Sequence, residues 1–183
     1  MSSARAWRAL SFVLLVVLVG GVARSTLAIP VTRHGNGIKK VEVVTETAAN
    51  TIATNSAYSV DLPGASASIQ IPEGVESLIL VRFSAESACY GRVTGWCSVR
   101  IFVGSTEAAP KVGDSYAFDS VNRDGAEDYE GHAVERVAGP FLGDTVFTVK
   151  VERSIHITDD PPFFGASAFR LDDWTLTVER IDV

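Results

Sequence analysis

The side chains able to do chemistry in this 183-residue sequence are few and scattered. Cys89 and Cys97 are its two cysteines, separated by Tyr90-Gly91-Arg92-Val93-Thr94-Gly95-Trp96. His34, His132 and His156 stand apart from one another, and no sequence neighbour marks any of them as a general base. A serine nucleophile is commonly displayed in a Gly-x-Ser-x-Gly elbow, and that motif is absent. A Cys-His pair requires a thiolate, which an oxidised pair does not supply. No histidine lies near the cysteines, so they do not form a usual zinc ligand set. Among 22 acidic residues many pairs are conceivable, but glycoside hydrolysis depends on the separation of two carboxylates in space. Asp172-Asp173 beside Trp174 is the most attractive pair, yet neighbouring residues on a strand face opposite ways. The expectation is no catalytic residue.

Asp119-Ser120-Val121-Asn122-Arg123-Asp124-Gly125-Ala126-Glu127-Asp128-Tyr129-Glu130 is the densest oxygen-rich stretch. Its candidate calcium ligands are Asp119, Asn122, Asp124 and Asp128. Aligning Asn122, Asp124 and Gly125 with the middle of an EF-hand loop puts Ser120 first and Gly131 twelfth, so two expected carboxylates are missing. A solvated acidic loop without a cofactor is the expectation. Tyr90 and Trp96 flank the cysteine loop, and Phe163-Phe164 follows Pro161-Pro162. These four aromatics either cap the core or form a platform for an extracellular protein or a carbohydrate.

The elements that must carry these residues follow from patterning. Arg5 and Arg8 precede an apolar run from Ala9 to Val19 that ends in Gly20-Gly21, the layout of a secretory signal peptide. The run falls short of the roughly 20 residues that span a bilayer, so no permanent membrane span is expected. Cleavage is placed after Ala28, with Ala23 as the alternative, giving a signal peptide at residues 1–28, a leader at 29–37 and a domain at 38–183. Losing residues 1–28 removes three arginines and no acid, which takes the formal charge from −6 to −9. Such a surface disfavours nucleic acid and anionic lipid. Export also permits a Cys89–Cys97 disulfide.

Beyond residue 37 the pattern has a period of two. Val81-Arg82-Phe83-Ser84-Ala85-Glu86, Cys97-Ser98-Val99-Arg100-Ile101, Phe147-Thr148-Val149-Lys150-Val151-Glu152 and Trp174-Thr175-Leu176-Thr177-Val178-Glu179 each present one apolar and one polar face. Weaker candidate strands are 41–45, 57–62, 67–71, 116–120 and 132–137. Turns are expected at Pro63-Gly64, Pro72-Glu73-Gly74, Gly113-Asp114, Asp124-Gly125, Gly139-Pro140 and Gly143-Asp144. Eight or nine short strands without room for crossover helices predict an all-β fold, a single antiparallel β-sandwich of jelly-roll type. Phe169 and Leu171 are odd-numbered whereas Trp174, Leu176 and Val178 are even-numbered, which requires a β-bulge at Asp172-Asp173. The same parity argument turns Cys89 and Cys97 to one side of a hairpin.

The segments Val81 to Cys89, Gly95 to Ile101, Tyr116 to Ser120 and Leu171 to Arg180 resemble parts of uncharacterised secreted bacterial proteins. A looser fold likeness is to the jelly rolls of the C1q and tumour-necrosis-factor type. The first resemblance implies export and a β-sandwich, and the second a homo-oligomer. Neither supplies a catalytic motif, and fold does not fix function. The reading is a secreted, non-catalytic binding or structural module, with a secreted carboxylate-dependent hydrolase of glycosidase type as the alternative.

Overall fold

Period-two patterning becomes two facing antiparallel sheets in the computed structural model, which describes residues 37–53, 59–91, 94–111, 113–122, 124–158 and 167–183. The described residues form ten strands: β1 (Ile38–Glu46), β2 (Asn50–Ala53), β3 (Val60–Ile71), β4 (Glu76–Gly91), β5 (Gly95–Val103), β6 (Thr106–Glu107), β7 (Asp119–Ser120), β8 (Glu130–Leu142), β9 (Thr145–Ile157) and β10 (Ser167–Asp182). The first sheet has the order β1-β10-β4-β8, with β2 also on β10. The second has the order β3-β9-β5-β6, with β7 also on β5. From β2 to β5, and again from β7 to β10, each successive strand lies in the opposite sheet, the winding of a jelly roll. The signal-peptide and leader residues before Gly37 lie outside the described residues. Among those described, no helix is long and apolar enough to cross a membrane.

Inward residues of both sheets meet in one core. Ile79, Val81 and Phe83 of β4 and Phe169, Leu171, Leu176 and Val178 of β10 face Ile69 and Ile71 of β3, Val99 and Ile101 of β5, and Val149 and Val151 of β9. Burying a side chain of this size contributes about 1.5–3 kcal/mol, which makes this core the main stabilising term. Phe102, which breaks the polar face of β5, points outward between two cations. The Arg100 guanidinium lies 4.8 Å and the Lys150 ammonium 5.5 Å from its ring centroid. Hydrogen bonds from Lys150 to Glu152 and Asp61 raise its pKa.

Four expectations are corrected. Leu62-Pro63-Gly64-Ala65 is not a turn between two strands but a bulge inside β3. Asp61 pairs with Glu152 and Ser66 with Lys150, so four residues oppose Val151 alone. Burial of Leu62 and Ala65 repays this break in the ladder. Gly139-Pro140 does not end a strand either. The peptide is cis, Gly139 has φ 106°, and β8 continues to Leu142 past a register shift opposite Ser77 and Ile79. The cysteines do not share a hairpin: β4 and β5 belong to different sheets, and their inward parity makes Cys89 and Cys97 face each other across the interior. In the expected 116–120 strand only Asp119–Ser120 pairs, preceded by a 3-10 turn at Gly113–Ser115.

The bulge in β10 is present. Asp172 pairs with Glu86 and Thr175 with Ser84, so Asp173 and Trp174 oppose Ala85 together. Asp173 takes φ 42°, and its N–H donates to Asp172 Oδ1 at 3.0 Å. This left-handed backbone is accessible to Gly, Asn and Asp and costly for β-branched residues. Urea unfolding should therefore show Asp173→Val losing about 1–2 kcal/mol, with Asp173→Asn within about 0.5 kcal/mol of the parent.

Candidate functional site

Polar and aromatic groups concentrate where the chain crosses from β4 to β5. The Cys89–Cys97 disulfide joins the sheets there, with Cα atoms 5.9 Å apart. Beside it the segment 118–122 ties both sheets together through its backbone. Phe118 N–H donates to Cys97 O at 2.9 Å and Val121 N–H to Gly95 O at 3.1 Å, while Asn122 N–H donates to Cys89 O at 2.8 Å. Gly95 has no alternative at this crossing: a Cβ on it would lie 1.9 Å from the His156 carbonyl oxygen.

This crossing carries Asp119 to the rim of the sandwich, opposite two inward residues of the first sheet. The Ser87 hydroxyl donates to Asp119 Oδ2 at 2.8 Å. His132 Nε2 stands 4.0 Å from Asp119 Oδ1 and 3.5 Å from Glu130 Oε2, and its ring packs against Phe118. That nitrogen is buried and has no hydrogen-bond partner. Serine, histidine and carboxylate thus meet, but not as a charge-relay triad: Ser87 is wholly buried and bonds to the carboxylate rather than the imidazole. A second serine and histidine meet on the outer face of β9. Ser154 Oγ lies 2.9 Å from His156 Nε2. This is the distance of a nucleophile and its base, yet Ser154 is also wholly buried, so the hydroxyl is not presented to a substrate.

Of the candidate calcium ligands, Asn122 and Asp128 meet, while the Asp119 and Asp124 carboxylates turn elsewhere. Asp119 turns to Ser87, Asn122 Nδ2 donates to Asp128 Oδ2 at 2.8 Å, and Asp124 Oδ1 accepts the Ala126 N–H at 2.7 Å. Among the described residues, no group of three His, Cys, Asp or Glu side chains is arranged to hold a metal ion. The acidic stretch is anchored instead through Glu127. Its Oε1 accepts from the Tyr129 hydroxyl at 2.6 Å and from Arg170 Nη1 at 2.8 Å. The Tyr129 hydrogen bond lowers the Glu127 pKa. Burial, then the Glu127 hydrogen bond, push the Tyr129 phenol up to about 12. Ultraviolet titration compared with Tyr129→Phe should therefore place its ionisation near pH 12, and Glu127→Gln should lower it. Because the folded-state pKa is raised, this group's contribution to stability is complete below the ordinary value of 10 and is lost as pH rises toward 12.

Of the aromatic residues, Trp96 stacks on His156 with ring centroids 5.3 Å apart and planes 19° from parallel. Tyr90 is half-buried at the end of β4, where it bridges Asn122. The two rings therefore stand on different sheets, on either side of the disulfide. Phe163 and Phe164 lie outside the described residues. The sequence reading missed both clusters that hold a serine and a histidine. Ser154 and His156 carried a signal, since residues two apart on a strand share a face. The meeting of Ser87, Asp119 and His132 carried none, because it joins three strands distant in sequence.

One further polar group sits inside. Arg153 interrupts the apolar face of β9 and is 3% exposed. It reaches across to the first sheet, where Nη1 donates to Asn50 O at 2.7 Å and Nη2 to Asn50 Oδ1. Burial lowers its pKa to about 10.

Strand order and site together define a jelly-roll β-sandwich closed at one end by a disulfide. No protein-family model and no curated protein matches the chain. Among solved structures, it is similar to the structure of infectious bursal disease virus Gt strain, with 11% identity and a TM-score of 0.41 over 82% of this chain and 41% of that one. The chain thus spans less than half of the length of that neighbour.

Proposed function

We propose that the protein is a secreted, non-catalytic binding module that contacts an extracellular protein or carbohydrate through Tyr90 and Trp96 at its disulfide-bearing end, with Phe163 and Phe164 as further candidate contact residues. The observation that carries this reading is the burial of the serine in each histidine-bearing cluster: Ser87 and Ser154 have no exposed surface. Their hydroxyls bond to Asp119 and His156. The stacked Trp96 and His156 rings offer the rigid, flat, amphipathic surface that sugars and protein loops pack against. An inter-sheet disulfide suits an oxidising compartment. Screening the exported protein against glycan and extracellular-protein arrays tests the reading. Trp96→Ala should lose any ligand found by at least about tenfold while leaving the unfolding midpoint nearly unchanged. A ligand that binds Trp96→Ala and Tyr90→Ala as well as the parent overturns it.

A second reading, a carboxylate-dependent hydrolase, rests on His132. The Asp119 and Glu130 oxygens that flank its Nε2 lie 4.0 and 3.5 Å from it, so the two carboxylates are no farther apart than glycosidase carboxylate pairs can be. Release of sugar from a glycoside panel, abolished by Glu130→Gln, would favour this reading over the first.

A further inference from the structure

The four sheet edges differ in how they are guarded. An open edge presents unpaired N–H and C=O groups, and proteins blunt it with short strands, bulges, proline, charge or a covering segment. The β8 edge is covered at its middle, where Ala109 and Val137 exchange backbone hydrogen bonds of 2.6 and 2.9 Å. Beyond β5, the second sheet ends in the two-residue strands β6 and β7. On its other side, β3 is interrupted by the bulge between Asp61 and Ser66. The β1 edge has an irregular, doubly charged guard at its start, where Lys39 and Lys40 accompany a register shift between Ile38 and Lys40, and beyond it only the isolated charges Glu42 and Glu46. From Val41 to Glu46 the strand pairs with β10 without a break, and among the described residues no strand pairs with its other edge. Exposed apolar side chains collect on this strand: Ile38 is 53%, Val41 47% and Val43 57% exposed.

We propose that the β1 edge is a self-association surface, on which β1 of a second copy of this chain pairs antiparallel about a two-fold axis through Val43. Charge selects both the partner and the register. With Val43 opposite itself, Lys40 of each copy faces Glu46 of the other, Val41 faces Thr45 and Glu42 faces Val44. Centring the axis on Glu42 sets two glutamates against each other, and centring it on Val44 opposes Glu42 to Glu46. An axis on Val41 draws the irregular Ile38–Lys40 segment into the pairing. The Val43 register therefore combines matched charge with the unbroken part of the strand. It joins the first sheets of two copies into one and covers Val43 with its own symmetry mate. Lys40 now pairs with Glu42 at 2.8 Å on an exposed surface, a contact of little net value that exchanges readily for one across the axis. This inference does not depend on the ligand-binding reading, which concerns the disulfide-bearing end.

Sedimentation velocity on the exported protein tests it. The parent should sediment as a concentration-dependent dimer. Val43→Lys, which sets like charges on the axis, should be monomeric with an unchanged circular dichroism spectrum and unfolding midpoint. Lys40→Glu should weaken the dimer by about tenfold or more, and the swap Lys40→Glu with Glu46→Lys should restore it. Val43→Cys should oxidise to a covalent dimer, because residue 43 meets its own mate, whereas Lys39→Cys should not. A parent that stays monomeric up to about 100 μM overturns the proposal. A dimer indifferent to Val43→Lys and to charge reversal overturns it equally, since the contact would lie on another face.

Discussion

Trp174→Ala should destabilise the fold by about 3–5 kcal/mol, the cost of deleting a large buried aromatic without compensation. Trp174 is among the largest fully buried side chains, at 1% exposure. Its ring lies 6.2 Å from that of Phe83, and its far edge lies within 4 Å of where a Gly64 Cβ would be. It thus fills the space between the β10 bulge and the β3 bulge, two irregular places where the surrounding backbone is least able to close over a cavity. Domains of this size are stable by about 5–15 kcal/mol, so the variant should unfold at much lower urea concentration and fold incompletely near physiological temperature. Trp174→Phe should cost much less, for two reasons. It keeps most of the apolar volume, and it removes an indole N–H that is buried without a hydrogen-bond partner. Urea midpoints for the two variants decide the matter. A Trp174→Ala protein as stable as the parent would mean that the core collapses onto the gap.

Much of this architecture is legible in the sequence, because burial on one face imposes a period of two and a one-residue slip would expose every apolar side chain. That logic located β4, β5, β9 and β10, and it placed a bulge at Asp172-Asp173 from numbering alone. It failed where the physical cause is not local. Pro63-Gly64 and Gly139-Pro140 carry the composition of turns, and only the neighbouring strands decide that the chain continues through them as a bulge in β3 and a cis peptide within β8. The cysteine pairing was readable from spacing and parity, whereas the assignment of β4 and β5 to opposite sheets was not, since a short loop serves a hairpin and a sheet-to-sheet crossing equally well. The candidate site is the least legible part. Ser87, Asp119 and His132 come from β4, β7 and β8, and no periodicity links them.

Replacing both cysteines by serine should cost about 2–3 kcal/mol by the chain-entropy estimate for so short a loop. Its position makes the consequence local as well as global. The bridge and segment 118–122 tie the first sheet to the second at this end: the backbone of that segment accepts and donates on both sides of the crossing, and it carries Asp119 to Ser87. Without the bridge, the ties left at the crossing are hydrogen bonds, each worth only about 1 kcal/mol net, and the packing of Phe118 against Phe83 and Phe169. Opening of this end should then precede global unfolding. Amide exchange in the cysteine-free protein should accelerate most at Gly91, Phe118, Val121 and Asn122, and least at Val81, Val149 and Val178 in the middle of the core. Uniform acceleration at both sets of amides would show that the sandwich opens as a single unit and that the disulfide stabilises it only through the unfolded chain.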